Sequence, residues 1–120
     1  MSDSAEILKL RVLLALYQMD DESRTVMNIS RMLGEEHYAI SRIISGYEKE
    51  GYVERKMPRK LQLTEKGITQ AKKYSQRMEL TLNHLLYEGV SMENARNNAY
   101  HWALNIAYLP FRIFLFFILS

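Results

Sequence analysis

The chain has no cysteine among its 120 residues, so disulfides, thiolate metal sites and thiol nucleophiles are excluded. Histidine is scarce: His37, His84 and His101 show neither His-x-x-x-His nor Glu-x-x-His spacing. His84 and Glu88 stand one helical turn apart, but two groups are too few for a metal centre. A glycine-rich phosphate loop, a nucleophile elbow and grouped carboxylates are all missing. An enzyme is therefore not expected, and no cofactor is called for. The opening MSDSAEILKL has neither a positive start nor an unbroken apolar run, so no secretory signal is expected, and the cytoplasm is the expected location. Long apolar runs are missing too. The mostly apolar stretch 102–119 is interrupted by Asn105, Pro110 and Arg112, and its unbroken part, 113–119, is too short to cross a bilayer. No membrane partner is expected, although the apolar tail 110–120 leaves a surface-associated role open. Its first reading is a buried core or dimerisation helix.

What the chain does have is an uneven distribution of charge. Its formal net charge is only +2. Residues 24–73 hold 11 Lys and Arg against 6 Glu, a net of +5, while the remainder nets −3. A local positive excess of this kind is what neutralisation of nucleic-acid phosphates requires.

The same stretch carries the clearest pattern. Thr25 caps a helix over about 26–33, with Val26, Ile29 and Leu33 on one face and Gly34 as its stop. A second helix is expected over about 37–50, backed by Ile40, Ile43, Ile44 and Tyr47 and closed by Gly51. An extended run from Tyr52-Val53 turns at Met57-Pro58-Arg59 and returns through Leu61 and Leu63. The order is that of a helix-turn-helix followed by a two-stranded wing, the device that sets one helix in a DNA major groove. Before it, Ser4 caps a first helix to about Met19, with Ile7, Leu10, Leu14 and Tyr17 in phase and Leu13 beside them. After it, Thr64 caps a long helix, with Ile68, Ala71, Tyr74, Met78, Leu82 and Leu85 at helical spacing up to Glu88. Gly89 ends that helix and Ser91 starts another, with Ala95, Ala99, Trp102 and Ile106 in phase until Pro110. The expected fold is mainly α with a small β-hairpin wing: a winged helix-turn-helix DNA-binding domain in 1–67 and a helical dimerisation region in 68–120.

Candidate recognition residues follow from this placement. The first turns of the second helix of the motif offer His37, Tyr38, Ala39, Ser41, Arg42 and Ser45 to the groove. Arg42 suits guanine, Ala39 a thymine methyl, and Ser41 is permissive. Arg55, Lys56, Arg59 and Lys60 sit on or beside the wing tip for phosphate or minor-groove contact, and Thr25 and Asn28 are placed to donate to a phosphate. Met78, Leu82, Leu85, Ala99, Trp102 and Ile106 are the candidates for a two-fold dimer interface.

The run from Val26 through Ile29-Ser30, Leu33-Gly34, Ile40-Ser41-Arg42-Ile43-Ile44 and Glu50-Gly51-Tyr52-Val53-Glu54-Arg55, with its short wing closing on Leu63-Thr64-Glu65-Lys66-Gly67, resembles the metal-responsive repressors of the diphtheria toxin repressor and manganese transport regulator (DtxR/MntR-like) family. The segment from Leu85 to Val90 and the SMENARNNAYHWAL that follows it resemble that family's dimerisation segment, and about residues 5–105 are covered. The MarR group, usually with longer wings, is the second resemblance. The first implies a winged-helix homodimer that acts on double-stranded DNA as a metal-activated repressor. The positions that correspond to that family's metal ligands fall on Lys9, Val12, Met78, Tyr100, Ala103 and Leu104, none of them a good ligand for a hard cation. Two smaller departures are Glu35, where a small apolar residue is usual in the turn, and Gly46, inside the recognition helix at a cost of roughly 1 kcal/mol relative to Ala. The expectation is a homodimeric, sequence-specific transcription regulator, a repressor that is not metal-activated. Two alternatives stand beside it. One is a protein-interaction module on a winged-helix scaffold, favoured by Glu35, Glu36, Glu48 and Glu50. The other is a MarR-like sensor whose Tyr74, Met78, Tyr100 and Trp102 line a pocket for an apolar small molecule.

Overall fold

A computed structural model describes residues 4–57 and 59–105. The element order is α1 (Ala5–Gln18), α2 (Val26–Leu33), α3 (His37–Glu50), β1 (Val53–Met57), β2 (Lys60–Leu63), α4 (Glu65–Tyr87) and α5 (Met92–Asn105). It is a mainly α fold with one antiparallel hairpin, a winged helix-turn-helix followed by a helical region. Compactness divides the chain after Lys73, so α4 gives its first turns to one unit and the rest to the other.

Local chemistry sets most of the boundaries. Ser4 accepts from Ile7 N at 3.2 Å, Thr25 from Asn28 N at 3.1 Å, Thr64 from Gly67 N at 3.0 Å and Ser91 from Asn94 N at 3.3 Å, so α1, α2, α4 and α5 each begin on a hydroxyl cap. Gly34 (φ 66°) and Gly51 (φ 81°) end α2 and α3 in the left-handed conformation, which a side chain would strain. In the hairpin, Val53 faces Leu63 and Arg55 faces Leu61, and a bulge lies between Arg55 and Met57. β2 is also tied outward: Leu61 N donates to Arg24 O at 2.9 Å, and Arg24 Nε to Leu16 O at 2.7 Å.

The core of the first unit is built around α1. Ile7, Leu10, Val12, Leu13, Leu14, Ala15 and Leu16 are all buried, because α1 packs on α2, α3 and β2 together. The stripe expected from Ile7, Leu10, Leu14 and Tyr17 is narrower than this. Tyr17 is only half-buried, whereas Val12 and Leu16, outside the stripe, are wholly buried. A helix enclosed on most sides loses the amphipathic period that a surface helix shows. Ile29, Ile40 and Ile44 complete the core with no exposure, and Leu33 and Ile43 are half-buried at its edge.

The second unit has a different logic. Ala95, Ala99 and Ala103 form a buried seam along α5. On the part of α4 that follows Lys73 the buried residues are Arg77 and Thr81, and Arg77 Nη1 donates to Ala103 O at 3.3 Å. The apolar stripe read along α4 is less covered: Met78, Leu82 and Leu85 are half-buried. In the first unit, Ile68 of the same stripe is exposed. α5 is described to Asn105, so its expected continuation to Pro110, Ile106 and the tail 110–120 lie outside the described residues. No described helix is long and apolar enough to cross a membrane.

Candidate nucleic-acid interface

Helix α3 is anchored from behind. Ile40 and Ile44 enter the core, and Tyr47, also buried, donates its hydroxyl proton to Lys9 O on α1 while its ring meets Tyr52 edge-on at 5.9 Å. The turn between α2 and α3 is closed by Glu35 N donating to Ser30 O at 3.1 Å and by the Ser30 hydroxyl donating to Glu35 O. Glu35 itself has a partner: its carboxylate lies 3.9 Å from Arg11 Nη1 of α1, which accounts for an acidic residue at a turn position where a small apolar one is usual.

With the isoleucines turned inward, the opposite face of α3 is open. Tyr38, Arg42, Ser45 and Lys49 are all exposed and follow one another at helical spacing, a continuous outward stripe of one aromatic, one hydroxyl and two cations. His37 is exposed at the helix start, and Ser41 and Ala39 are half-buried along its flanks. Ala39 borders an open cleft of about 450 Å³ between α1 and α3, lined also by Leu8, Lys9, Arg42, Ile43 and Gly46. Glu36, the residue before α3, makes no side-chain cap bond, so the first amides of this helix have no side-chain acceptor there. Lys49 was not among the residues expected to take part. Continuing the Tyr38, Arg42, Ser45 period by one more turn would have found it.

The cations differ in how far the fold has already used them. Arg55 Nε donates to Glu48 Oε1 at 2.7 Å, which fastens β1 to α3. Lys56 Nζ lies 3.1 Å from Glu54, and Lys60 donates to Glu22 O. Lys66 donates to Glu50 O at 2.9 Å and sits 4.9 Å from the Tyr52 ring centre. Arg42, Lys49 and Arg59, in contrast, make no hydrogen bond or ion pair among the described residues. Arg59 is exposed at the turn of the wing with φ at 80°, the one described residue other than glycine in that region. Thr25 and Asn28 are partly committed: Thr25 caps α2, and Asn28 Nδ2 donates to Ser23 O at 2.8 Å.

Of the residues proposed for self-association, Met78, Leu82 and Leu85 are half-buried, Trp102 is 38% exposed, and Ala99 is already fully buried within its own chain. Tyr87 and Met92 add exposed apolar area near the α4–α5 turn. Among the described residues no three His, Cys, Asp or Glu side chains come together in a way that could hold a metal ion. Val12 and Ala103, two of the positions that correspond to ligands in the resembling family, are fully buried apolar residues.

No protein-family model matches the sequence, and no curated protein matches it. Solved structures do. The chain is similar to the hypothetical protein SSo2273 from Sulfolobus solfataricus, with a TM-score of 0.67 and 14% identity over 92% of this chain and 87% of that one. It is also similar to IdeR from T. acidophilum, with a TM-score of 0.63 and 21% identity over 93% of this chain and 52% of that one. The chain thus matches about half the length of IdeR. At such identities the likeness establishes the fold, a winged helix-turn-helix with helices after the wing.

Proposed function

We propose that this chain is a homodimeric, sequence-specific transcription regulator that binds double-stranded DNA, represses, and does so without a metal. The observation that carries the reading is the exposed stripe Tyr38, Arg42, Ser45 and Lys49 on a helix whose back is locked by Ile40, Ile44 and Tyr47. Such a helix can enter a major groove without unfolding anything behind it. Arg42 offers two donors to a guanine edge, Ser45 a hydroxyl, and Lys49 and Arg59 free charges to flanking phosphates. The uncapped start of α3 adds backbone amides that suit a phosphate.

Self-association draws on the second unit. Its α4 turns Arg77 and Thr81 inward and leaves Met78, Leu82 and Leu85 half-covered, with Trp102 exposed on α5, an apolar surface that a second copy would cover. A two-fold would set two reading helices about 34 Å apart, so the preferred sites are pseudo-palindromes with half-sites one helical turn apart. Metal independence is favoured by Lys9, Val12, Met78, Tyr100, Ala103 and Leu104 standing where the resembling repressors carry ligands.

Selection of bound duplexes from a random pool, followed by a salt titration, tests the reading. A palindromic consensus is expected, recovered alike with and without Mn²⁺, Fe²⁺ or Zn²⁺. The log of affinity is expected to fall linearly with log salt, with a slope of about −0.9 per phosphate neutralised. Arg42→Ala is expected to relax preference at one base pair, and Lys49→Ala to weaken all duplexes alike. Binding that ignores salt, or that no duplex supports, would overturn the proposal. Leu82→Glu is expected to yield monomers in light scattering, and a wild type already monomeric at high concentration would remove the dimer.

A further inference from the structure

The aromatic at the head of the outward stripe is out of place for a solvent-facing position. Tyr38 is 70% exposed, makes no hydrogen bond among the described residues, and buries nothing in the core. What it does meet is Arg42, one helical turn on, whose guanidinium carbon lies 5.8 Å from the centre of the Tyr38 ring. That is within the range over which the electron-rich face of a ring attracts a cation. Arg42 has no acidic partner. On its other side lies the open cleft between α1 and α3, where Gly46 leaves room that not even an added Cβ would fill. The contrast with the wing is clear: Arg55 is held by a carboxylate and is thereby spent on the fold, whereas Arg42 is held by a ring that leaves all of its N–H donors free.

We propose that Tyr38 is a positioning residue which holds the Arg42 guanidinium over the first turn of α3, ready for bidentate contact with the N7 and O6 of a guanine. The inference rests on the DNA-binding reading above. Restricting a long side chain before contact removes part of the ordering cost that binding would otherwise incur, without adding a contact to the complex. A carboxylate in the same role would hold Arg42 more tightly but occupy the donors that a guanine needs. The ring avoids that conflict.

The test uses a duplex recovered by selection, and the same duplex with 7-deazaguanine at the base pair where Arg42→Ala relaxes preference. Tyr38→Phe keeps the ring and is expected to bind as the wild type does. Tyr38→Leu is expected to weaken binding to the guanine duplex roughly two- to fivefold, the span of an exposed cation–ring contact. The same change is expected to have a smaller effect on the 7-deazaguanine duplex, which keeps only the O6 acceptor, and none in an Arg42→Ala background. In the free protein, the δ protons of Arg42 are expected to show an upfield ring-current shift that Tyr38→Leu abolishes. Thermal stability of Tyr38→Leu is expected to stay at the wild-type value, since the side chain is mostly exposed.

A Tyr38→Leu loss that is undiminished with 7-deazaguanine, or that persists without Arg42, would mean that Tyr38 touches DNA on its own account, and would overturn the inference alone. So would a wild type whose guanine preference survives Tyr38→Leu intact, or whose selected duplexes show no Arg42-dependent guanine. A wild type that binds no selected duplex would overturn the DNA-binding reading, and this inference with it.

Discussion

Gly46 and Gly67 both lie within helices, and the structure assigns them opposite responses to the same substitution. At Gly67, in the first turn of α4, an added Cβ would run into the carbonyl oxygen of Tyr52 and lie 3.0 Å from its carbon and 3.1 Å from Leu63 Cδ2. Two of those three atoms are backbone, held in place because Tyr52 O accepts from Thr64 N at 3.0 Å. Relief therefore requires moving the start of α4 away from the wing, not turning a side chain. Replacing glycine by alanine gains about 1 kcal/mol of helix propensity. Against it stand about 1–3 kcal/mol of overpacking strain and about 1 kcal/mol for the hydrogen bond that is displaced. Gly67→Ala is thus expected to destabilise by about 1–3 kcal/mol. At Gly46 a Cβ meets nothing within 4 Å, so only the propensity gain remains and Gly46→Ala is expected to stabilise by up to about 1 kcal/mol. Urea unfolding followed by far-UV circular dichroism separates the two. With slopes of about 1–3 kcal/mol per molar urea, the midpoints of the variants are expected to lie about 1 M apart, on opposite sides of the wild type. A Gly67→Ala protein as stable as the wild type would refute the close approach of α4 to the wing. A destabilised Gly46→Ala would refute the open space beside α3.

Thr81 is wholly buried with no hydrogen-bond partner for its hydroxyl among the described residues, so Thr81→Val, near in shape but without the polar group, is expected to raise stability by about 1 kcal/mol in the same unfolding assay. Thr25→Ala removes the acceptor for Asn28 N at the start of α2 and is expected to cost about 1 kcal/mol, read as a lower urea midpoint, whereas Thr25→Ser is expected to restore the wild-type value. Ile44→Ala opens a cavity directly behind the exposed stripe of α3, with an expected loss of about 2–5 kcal/mol, and amide exchange across α3 is expected to accelerate with it.

The helix-turn-helix was legible in its boundaries because its signals are local. Thr25, Gly34 and Gly51 punctuate α2 and α3 by hydroxyl capping and by left-handed backbone, effects that act within a few bonds of the residue concerned. The isoleucines at 40 and 44 declare which side of α3 is inward, and so which side is left for solvent or a partner. Helix α1 was less legible. Its Val12 and Leu16 are buried because three other elements close around it, and that enclosure hides the period on which the reading of Ile7, Leu10 and Leu14 depended. In the second unit, apolar spacing pointed to Met78 and Leu82, yet the seam of small residues on α5 accompanies burial of Arg77 and Thr81 instead.

The amino-acid sequence by itself determined, to within a residue or so, where α1 to α4 and the hairpin begin and end, and which face of α3 is free, since caps, glycines and apolar spacing act at short range. Only the tertiary structure decided which cations remain available. Arg55, Lys56 and Lys60 look alike in the sequence to Arg42 and Arg59, but folding carries Arg55 to Glu48 of α3 and Lys60 to the backbone of Glu22, partners outside their own strands. It also brought the Tyr52 carbonyl against Gly67, which makes that glycine a matter of space between elements. Charge and size are properties of a residue; pairing and contact belong to the path of the chain.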